Sequence, residues 1–163
     1  SEKSPVCTRC VIVEVEIGGA VTNVRAIAAG IADGLGFGAN ARTAIITRGL
    51  AEILRLGQAL GANAETLMGL SGMGDLILTC TDNQSRNRQL GLALGAGKTL
   101  DEAIKSIGQA VEGAKTSQSI HLLAQRANVE MPICDAVHQV LYKGLSPQEA
   151  VRSLISRKPK PEF

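Results

Sequence analysis

Apolar residues recur at helical spacing along most of the chain. Between residues 41 and 60, apolar side chains return at three- and four-residue steps with charged side chains between them: Ile46, Leu50, Ile53, Leu54 and Leu60 against Arg48, Glu52 and Arg55. This spacing predicts an amphipathic helix that ends at Gly61. The segment 18–34, GGAVTNVRAIAAGIADG, is rich in small residues and is predicted to be a buried helix that neighbouring helices approach closely.

Residues that can cap a helix N-terminus stand before four further predicted helices: Asn63, Ser85, Thr99 and Ser146. Thr99 and Ser146 are each followed by a glutamate three residues later, which is the spacing of a capping box. Apolar faces predict two more helices at 112–127 and 132–142. The segment 10–17, CVIVEVEI, alternates apolar and acidic residues and is predicted to be a short strand.

These elements add up to an all-α, multi-helix bundle of about seven helices with at most one short N-terminal strand. At 163 residues the chain has the length of a single domain. Apolar residues make up 45 % of it, which is enough for a sizeable core.

Composition excludes several classes of function. Aromatic residues make up only 2 % of the chain, and this counts against modules that stack nucleic-acid bases. The net charge of +2, from 17 basic and 15 acidic residues, predicts no polyanionic partner. No apolar run approaches the roughly 20 residues that cross a bilayer. We therefore expect a cytoplasmic protein without membrane insertion or bound nucleic acid.

The four cysteines leave two interpretations open. Cys7 and Cys10 form a CxxC pair, but no second pair completes a four-ligand metal site. A zinc or redox site is therefore the weaker interpretation, and free thiols in a reducing compartment are the better one. No metal site is predicted.

The segment 74–91, GDLILTCTDNQSRNRQLG, concentrates polar chemistry. Asp75 precedes an apolar run that should be buried, so its charge needs a partner, and Thr79 would share its face if this run is helical. Ser85 begins a helix whose free N–H groups attract anions. Arg86, in the first turn, opposes the helix dipole unless an anion binds there. The residues are equally compatible with an anion site and with a surface loop that has an ordinary serine cap.

Dinucleotide-binding motifs are missing from the sequence. The segment 34–38, GLGFG, follows a helical stretch and lacks the third glycine of G-x-G-x-x-G, and there is no P-loop.

Three segments together resemble one enzyme family: 16–57, 71–88 (SGMGDLILTCTDNQSRNR) and 107–113 (IGQAVEG). They look like the C-terminal substrate domain of bacterial NAD(P)-dependent glycerol-3-phosphate dehydrogenase. The resemblance implies a helical fold of the 6-phosphogluconate dehydrogenase C-terminal-like type, with the small-residue segments 18–30 and 38–45 packed at the bundle centre. It also implies interconversion of dihydroxyacetone phosphate and sn-glycerol 3-phosphate, for phospholipid synthesis. NAD or NADP would be bound mainly by a Rossmann domain that this chain lacks, and the assembly would be a homodimer.

The resemblance also implies boundaries and site residues. Residues 1–13 are a leader unlike the family, 14–157 are the substrate-binding and dimerisation domain, and 158–163 are a disordered tail. Catalysis involves Asp75, which orients the base, and Thr79. Substrate contacts fall on five residues: Asn23, Asp75, Ser85, Arg86 and Asn87. Cofactor contacts fall on three: Arg86, Ala110 and Glu112. From its position alone, Glu112 could also be an ordinary surface charge at a helix start, which is the weaker interpretation.

One departure from the family concerns catalysis. The family carries a lysine, its general acid–base, where this chain has Thr22. A threonine hydroxyl can donate a hydrogen bond, but it has no positive charge and does not release its proton near neutral pH. Losing a positioned general acid costs about 10²–10⁴ in rate. We therefore expect the isolated chain to be inactive, and a non-catalytic dimerisation or interaction module is the alternative function.

Overall fold

The computed structural model describes residues 8–68 and 70–157, and of residues 8–15, 66, 68 and 70–72 the backbone alone. Within these ranges the chain is all-α, as predicted, with nine helices and no strand. The helices are α1 (Thr8–Gly34), α2 (Gly38–Ala59), α3 (Ala64–Met68), α4 (Leu70–Thr81), α5 (Arg86–Gly95), α6 (Leu100–Ile107), α7 (Glu112–Arg126), α8 (Pro132–Tyr142) and α9 (Pro147–Ser156).

Helix α1 is the centre of the bundle. Its residues from Val21 to Ala32 are almost all buried, and Val24, Ala26 and Ile27 have no exposed surface. Helices α2, α4, α5, α7 and α8 all pack against it. A helix that is apolar on every side in this way must be covered on every side, so the remaining helices form a layer around it.

The closest approach in the bundle joins α1 to α5. A Cβ atom added to Gly30 would lie 2.2 Å from the carbonyl oxygen of Arg88, and one added to Gly91 would lie 2.1 Å from that of Ile27. The second pair, Gly34 and Gly95, repeats the contact one turn later. These helices therefore meet backbone to backbone, which only glycine permits, and the crossing fixes where α5 begins.

The predicted caps are confirmed. The side chains of Ser85, Thr99 and Ser146 accept hydrogen bonds from the backbone N–H three residues later. At Thr99 both halves of the capping box form, because the Glu102 carboxylate also accepts from the Thr99 N–H at 2.9 Å. Asn63 Oδ1 accepts from the Glu65 N–H at 2.9 Å. Local side-chain chemistry thus sets these helix starts.

Two predictions about the fold are wrong. Residues 10–17 form no strand but lie within α1, since an isolated strand has no partner among the described residues whereas a helix satisfies its own backbone. The segment 38–45 was expected at the bundle centre, but residues 38–40 are exposed and only Ala41 and Ile45 are buried in it.

Most of the expected leader and tail lies outside the residues that the structure describes. Residues 8–13 continue α1, while residues 1–7 and 158–163 lie outside the described part of the chain.

A buried ion pair joins α1 to α2. Arg25 has no exposed surface and Glu52 is 2 % exposed, and their side chains approach to 3.7 Å. Gly49 makes room for the arginine, because a Cβ there would lie 2.6 Å from Arg25 Cδ. Glu52 Oε1 accepts a hydrogen bond from the Ile133 N–H at 2.7 Å, which connects α8 to the same pair.

Substituting the glycine at the crossing tests this account of the fold. Gly91→Ala should lower the free energy of unfolding by about 3 kcal/mol or more, because the added methyl group meets backbone that cannot move aside. The matched control is Gly74→Ala in α4, where nothing lies within 4 Å. Because alanine has a higher helix propensity than glycine, Gly74→Ala should raise the free energy of unfolding by about 0.5–1 kcal/mol. Urea denaturation measures both changes, and equal effects would contradict the close crossing.

The buried pair predicts a specific pH dependence. Burial raises the pKa of the Glu52 carboxyl above its ordinary value of 4.5, although Arg25 opposes this. The folded chain therefore holds this proton more tightly than the unfolded chain does. The contribution to stability is present below about pH 4.5 and is lost as the pH rises through the folded pKa.

The measurement is the free energy of unfolding of the unaltered chain minus that of Glu52→Gln, in urea, from about pH 4 to about pH 7. The difference should fall as the pH rises. A difference that grows with pH would show that attraction to Arg25, not burial, dominates this carboxyl group.

Candidate functional site

Asp75 and Thr79 share one face of α4, as their spacing predicts. Thr79 Oγ1 donates to Asp75 Oδ1 at 3.5 Å, and this is the partner found for the carboxylate. The apolar run after Asp75 is only half-buried: Leu76 and Cys80 face the core, whereas Ile77 is 45 % and Leu78 62 % exposed. Asp75 itself is exposed. The carboxylate is therefore available to a ligand.

Cys80, beneath this face, takes no part in the chemistry. The thiol is fully buried, and burial raises its pKa to about 12. It therefore stays protonated and is not a nucleophile.

The start of α5 carries the next three predicted residues. Ser85 is its N-cap, and Ser85 Oγ accepts from the Arg88 N–H at 3.3 Å, so its own proton is left to donate. Arg86 is the first residue of the helix and is exposed. Among the described side chains no carboxylate lies within ion-pair distance of Arg86. A cation at this end of a helix lacks local stabilisation, which favours the anion-site interpretation.

Asn87 links α5 to α7. Its Oδ1 accepts a hydrogen bond from the Gly113 N–H at 2.9 Å. A Cβ on Gly113 would lie 2.4 Å from that oxygen and 3.1 Å from the carbonyl oxygen of Asn23. Asn23, Asn87 and Gly113 thus meet where α1, α5 and α7 come together.

This contact brings two helix N-termini side by side. Val111 gives α7 no side-chain cap, and Asn87, from the first turn of α5, serves the first turn of α7 instead. Each N-terminus carries partial positive charge, so both favour an anion between or in front of them. Ala110 and Glu112 lie exposed at the start of α7.

Thr22 lies on α1, one residue before Asn23, and is 3 % exposed. It is therefore adjacent in sequence to the residue whose carbonyl oxygen lies at the junction of α1, α5 and α7. It supplies no charge there.

Arg88 holds this loop in place, a role that sequence reasoning missed. Its side chain is buried, Nη1 donates to Asp33 Oδ2 at 2.5 Å, and Nε donates to Asn83 Oδ1 at 3.3 Å. Arg42, in α2, binds the same carboxylate at 3.0 Å. The loop before α5 is thereby attached to the end of α1. The one available signal was a second arginine two residues after Arg86, on a different face of the helix.

Within the described ranges, no three His, Cys, Asp or Glu side chains cluster closely enough to hold a metal ion. None of the helices there has the combination of length and apolar character that spanning a bilayer requires.

Comparisons with known proteins identify the family of this chain. Residues 12–152 match the family model of the NAD-dependent glycerol-3-phosphate dehydrogenase C-terminus. A glycerol-3-phosphate dehydrogenase [NAD(P)+] of Thioalkalivibrio sulfidiphilus is 64 % identical over 152 residues, which are 93 % of this chain and 46 % of that protein. The chain therefore belongs to the family of glycerol-3-phosphate dehydrogenase C-terminal domains.

Solved structures give the same answer. The crystal structure of glycerol-3-phosphate dehydrogenase from Coxiella burnetii matches with a TM-score of 0.86 and 54 % identity, over 88 % of this chain and 44 % of that one. The Saccharomyces cerevisiae enzyme matches with a TM-score of 0.78 and 31 % identity, over 88 % and 42 %. This chain spans less than half the length of these relatives.

Removing the Asn87 side chain should destabilise the junction of α5 and α7. Asn87→Ala leaves the Gly113 N–H without its partner, at a cost of about 1–3 kcal/mol. Gln118→Ala, an exposed change within α7, should stay within about 0.5 kcal/mol of the unaltered chain. Urea denaturation followed by circular dichroism measures both. Equal stabilities would show that the hydrogen bond does not hold the two helices together.

Proposed function

We propose that this chain is the substrate-binding domain of an NAD(P)-dependent sn-glycerol-3-phosphate dehydrogenase, whose reaction is the reduction of dihydroxyacetone phosphate. The observation that carries the proposal is the pair of adjacent helix N-termini with Arg86 exposed beside them. Family membership and the names of the relatives support the same assignment.

The donors at this site suit a small phosphorylated ligand. Arg86 can bind phosphate oxygens through two N–H groups at once. The Ser85 hydroxyl keeps its proton to donate, and Asn87 has its oxygen engaged, which turns its amide N–H groups towards other acceptors. Asn23 and Asp75 would bind the polar groups of the three-carbon chain, with Asp75 and Thr79 beside the carbonyl group.

The cofactor would meet this domain at its edge. Arg86, Ala110 and Glu112 are exposed and could contact NAD or NADP, most of which would be held by a Rossmann domain outside this chain. When bound, the nicotinamide supplies the hydride. The contribution of this chain is to bind and orient the substrate at that point.

Thr22 limits what the chain can do alone. A buried hydroxyl can hydrogen-bond the substrate carbonyl, but it neither gives up a proton near neutral pH nor stabilises the developing negative oxygen by charge. We therefore propose that the isolated domain binds substrate and does not turn it over.

The proposal includes a cytoplasmic homodimer. Light scattering of the purified chain would show two copies per particle if this part of it is right.

Arg86→Ala should weaken binding of sn-glycerol 3-phosphate roughly 10- to 100-fold, since charge-assisted hydrogen bonds to phosphate are lost. Calorimetric titration measures the affinity. Arg126→Ala, at the far end of α7, is the matched control and should bind as the unaltered chain does. Equally weak heats from the unaltered chain, Arg86→Ala and Arg126→Ala would contradict the assignment of Arg86 to substrate binding.

Restoring the lysine distinguishes an enzyme domain from an interaction module. With a Rossmann domain supplied in trans, Thr22→Lys should raise the dehydrogenase rate by about 10²–10⁴, the usual contribution of a general acid. Thr43→Lys, on the exposed side of α2, should leave the rate unchanged. If Thr22→Lys stays inactive beside an intact Rossmann domain, the non-catalytic interaction module is favoured. The observation behind that alternative is Thr22 itself, which stands where the family carries its catalytic lysine.

A further inference from the structure

The proposed substrate contacts come from two helices that a short loop connects. Asp75 and Thr79 lie on α4, whereas Arg86 is the first residue of α5. The loop consists of residues 82–84, of which Asn83 and the residue after it are exposed. A ligand that touches both helices therefore depends on how this loop sets α4 relative to the start of α5.

The backbone of the loop bends through two hydrogen bonds of its own. Asp82 Oδ1 accepts from the Gln84 N–H at 2.9 Å, and the Asp82 carbonyl oxygen accepts from the Ser85 N–H at 3.1 Å. Both bonds pass around Asn83 and neither of them includes it. The contacts that hold Asn83 come instead from α5.

Two side chains of α5 bind Asn83. Arg88 Nε donates to Asn83 Oδ1 at 3.3 Å, and Gln89 Nε2 donates to the Asn83 carbonyl oxygen at 2.9 Å. Arg88 is only 6 % exposed, and its Nη1 donates to Asp33 Oδ2 at 2.5 Å. The exposed loop is thereby connected through one buried arginine to the end of α1.

The geometry of arginine suits this connection. One planar guanidinium binds a carboxylate through Nη1 and an amide oxygen through Nε, which the single ammonium group of lysine does not reproduce. The Asp33 carboxylate also accepts from Arg42 Nη1 at 3.0 Å, so it is held from two sides. Arg88 is thus fixed by groups of the protein, and its effect on a ligand passes through Asn83.

We propose that Arg88 is a positioning residue, which sets α4 relative to the start of α5 and so aligns the two halves of the substrate site. The inference rests on the proposed function, in which sn-glycerol 3-phosphate spans Arg86 and Asp75. A loop that is already ordered spares the ligand the entropy of ordering it, and this raises the affinity. The start of α5 is fixed separately, by the glycine crossing and the Ser85 cap.

This division predicts that two probes respond differently. sn-Glycerol 3-phosphate touches both helices, whereas inorganic phosphate binds at the start of α5 alone. Asn83→Ala removes the connection at its exposed end and leaves the buried Arg88–Asp33 pair intact. It should weaken sn-glycerol 3-phosphate about tenfold, the usual cost of ordering one residue, and change the phosphate affinity by less than about twofold. A general loss of structure would weaken both probes alike.

NMR titration of the 163-residue chain measures both affinities. The matched control is Gln84→Ala, the neighbouring exposed amide, which should bind both probes as the unaltered chain does. Arg88→Lys keeps the charge beside Asp33 but loses the contact with Asn83, so it should also weaken sn-glycerol 3-phosphate about tenfold. Asn83→Ala combined with Arg88→Lys should weaken it no further, because both changes remove one connection.

Three results would overturn the inference alone. Asn83→Ala could weaken both probes equally or leave both unchanged, and the losses in the combined variant could add, which would mean that Asn83 contacts the ligand directly. The Asn83→Ala result decides the matter even if Arg88→Lys unfolds. If the unaltered chain does not bind sn-glycerol 3-phosphate more tightly than phosphate, the proposed function fails and the inference fails with it.

Discussion

The contact on which the structure depends is the crossing of α1 and α5, where backbone touches backbone. Gly30 and Gly34 on one helix face Gly91 and Gly95 on the other, with no side chain between them. Because the helices meet this closely, the first turn of α5 lies against the buried middle of α1. Asn87 can then accept a hydrogen bond from the first turn of α7. The positions of both helix N-termini and of Arg86 therefore depend on the four glycines of the crossing.

Two kinds of polar contact complete the arrangement, and they differ in exposure. The Arg88–Asp33–Arg42 cluster attaches the loop before α5 to α1 and α2, near the surface. The Arg25–Glu52 pair lies in the core, where removal from water raises the pKa of the carboxyl group despite the nearby arginine. The first cluster holds the loop before α5 and the start of that helix in place, while the second joins α1 to α2 and, through Glu52, to α8.

Features set by nearby residues could be predicted from the sequence, and those set by distant residues could not. The caps at Ser85 and Thr99 and the shared helix face of Asp75 and Thr79 depend on spacings of three or four residues, and the structure confirms them. The partner of Arg88 is 55 positions away, and the glycines of α5 are matched only by those of α1. The alternation at 10–17 was misleading because no neighbouring strand exists in the described chain to pair with it.

The four-residue repeat of the glycine contacts has a consequence for how the chain can change in length. Residues added to the turn at 96–98 would leave α5 in register with α1, since they lie beyond the last contact at Gly95. One residue inserted between Gly91 and Gly95 would rotate the second contact by about 100°, and Leu94 would then occupy a space that holds no side chain. Related sequences should therefore vary in length in the connections between helices, and they should keep the four-residue spacing of Gly91 and Gly95 in α5.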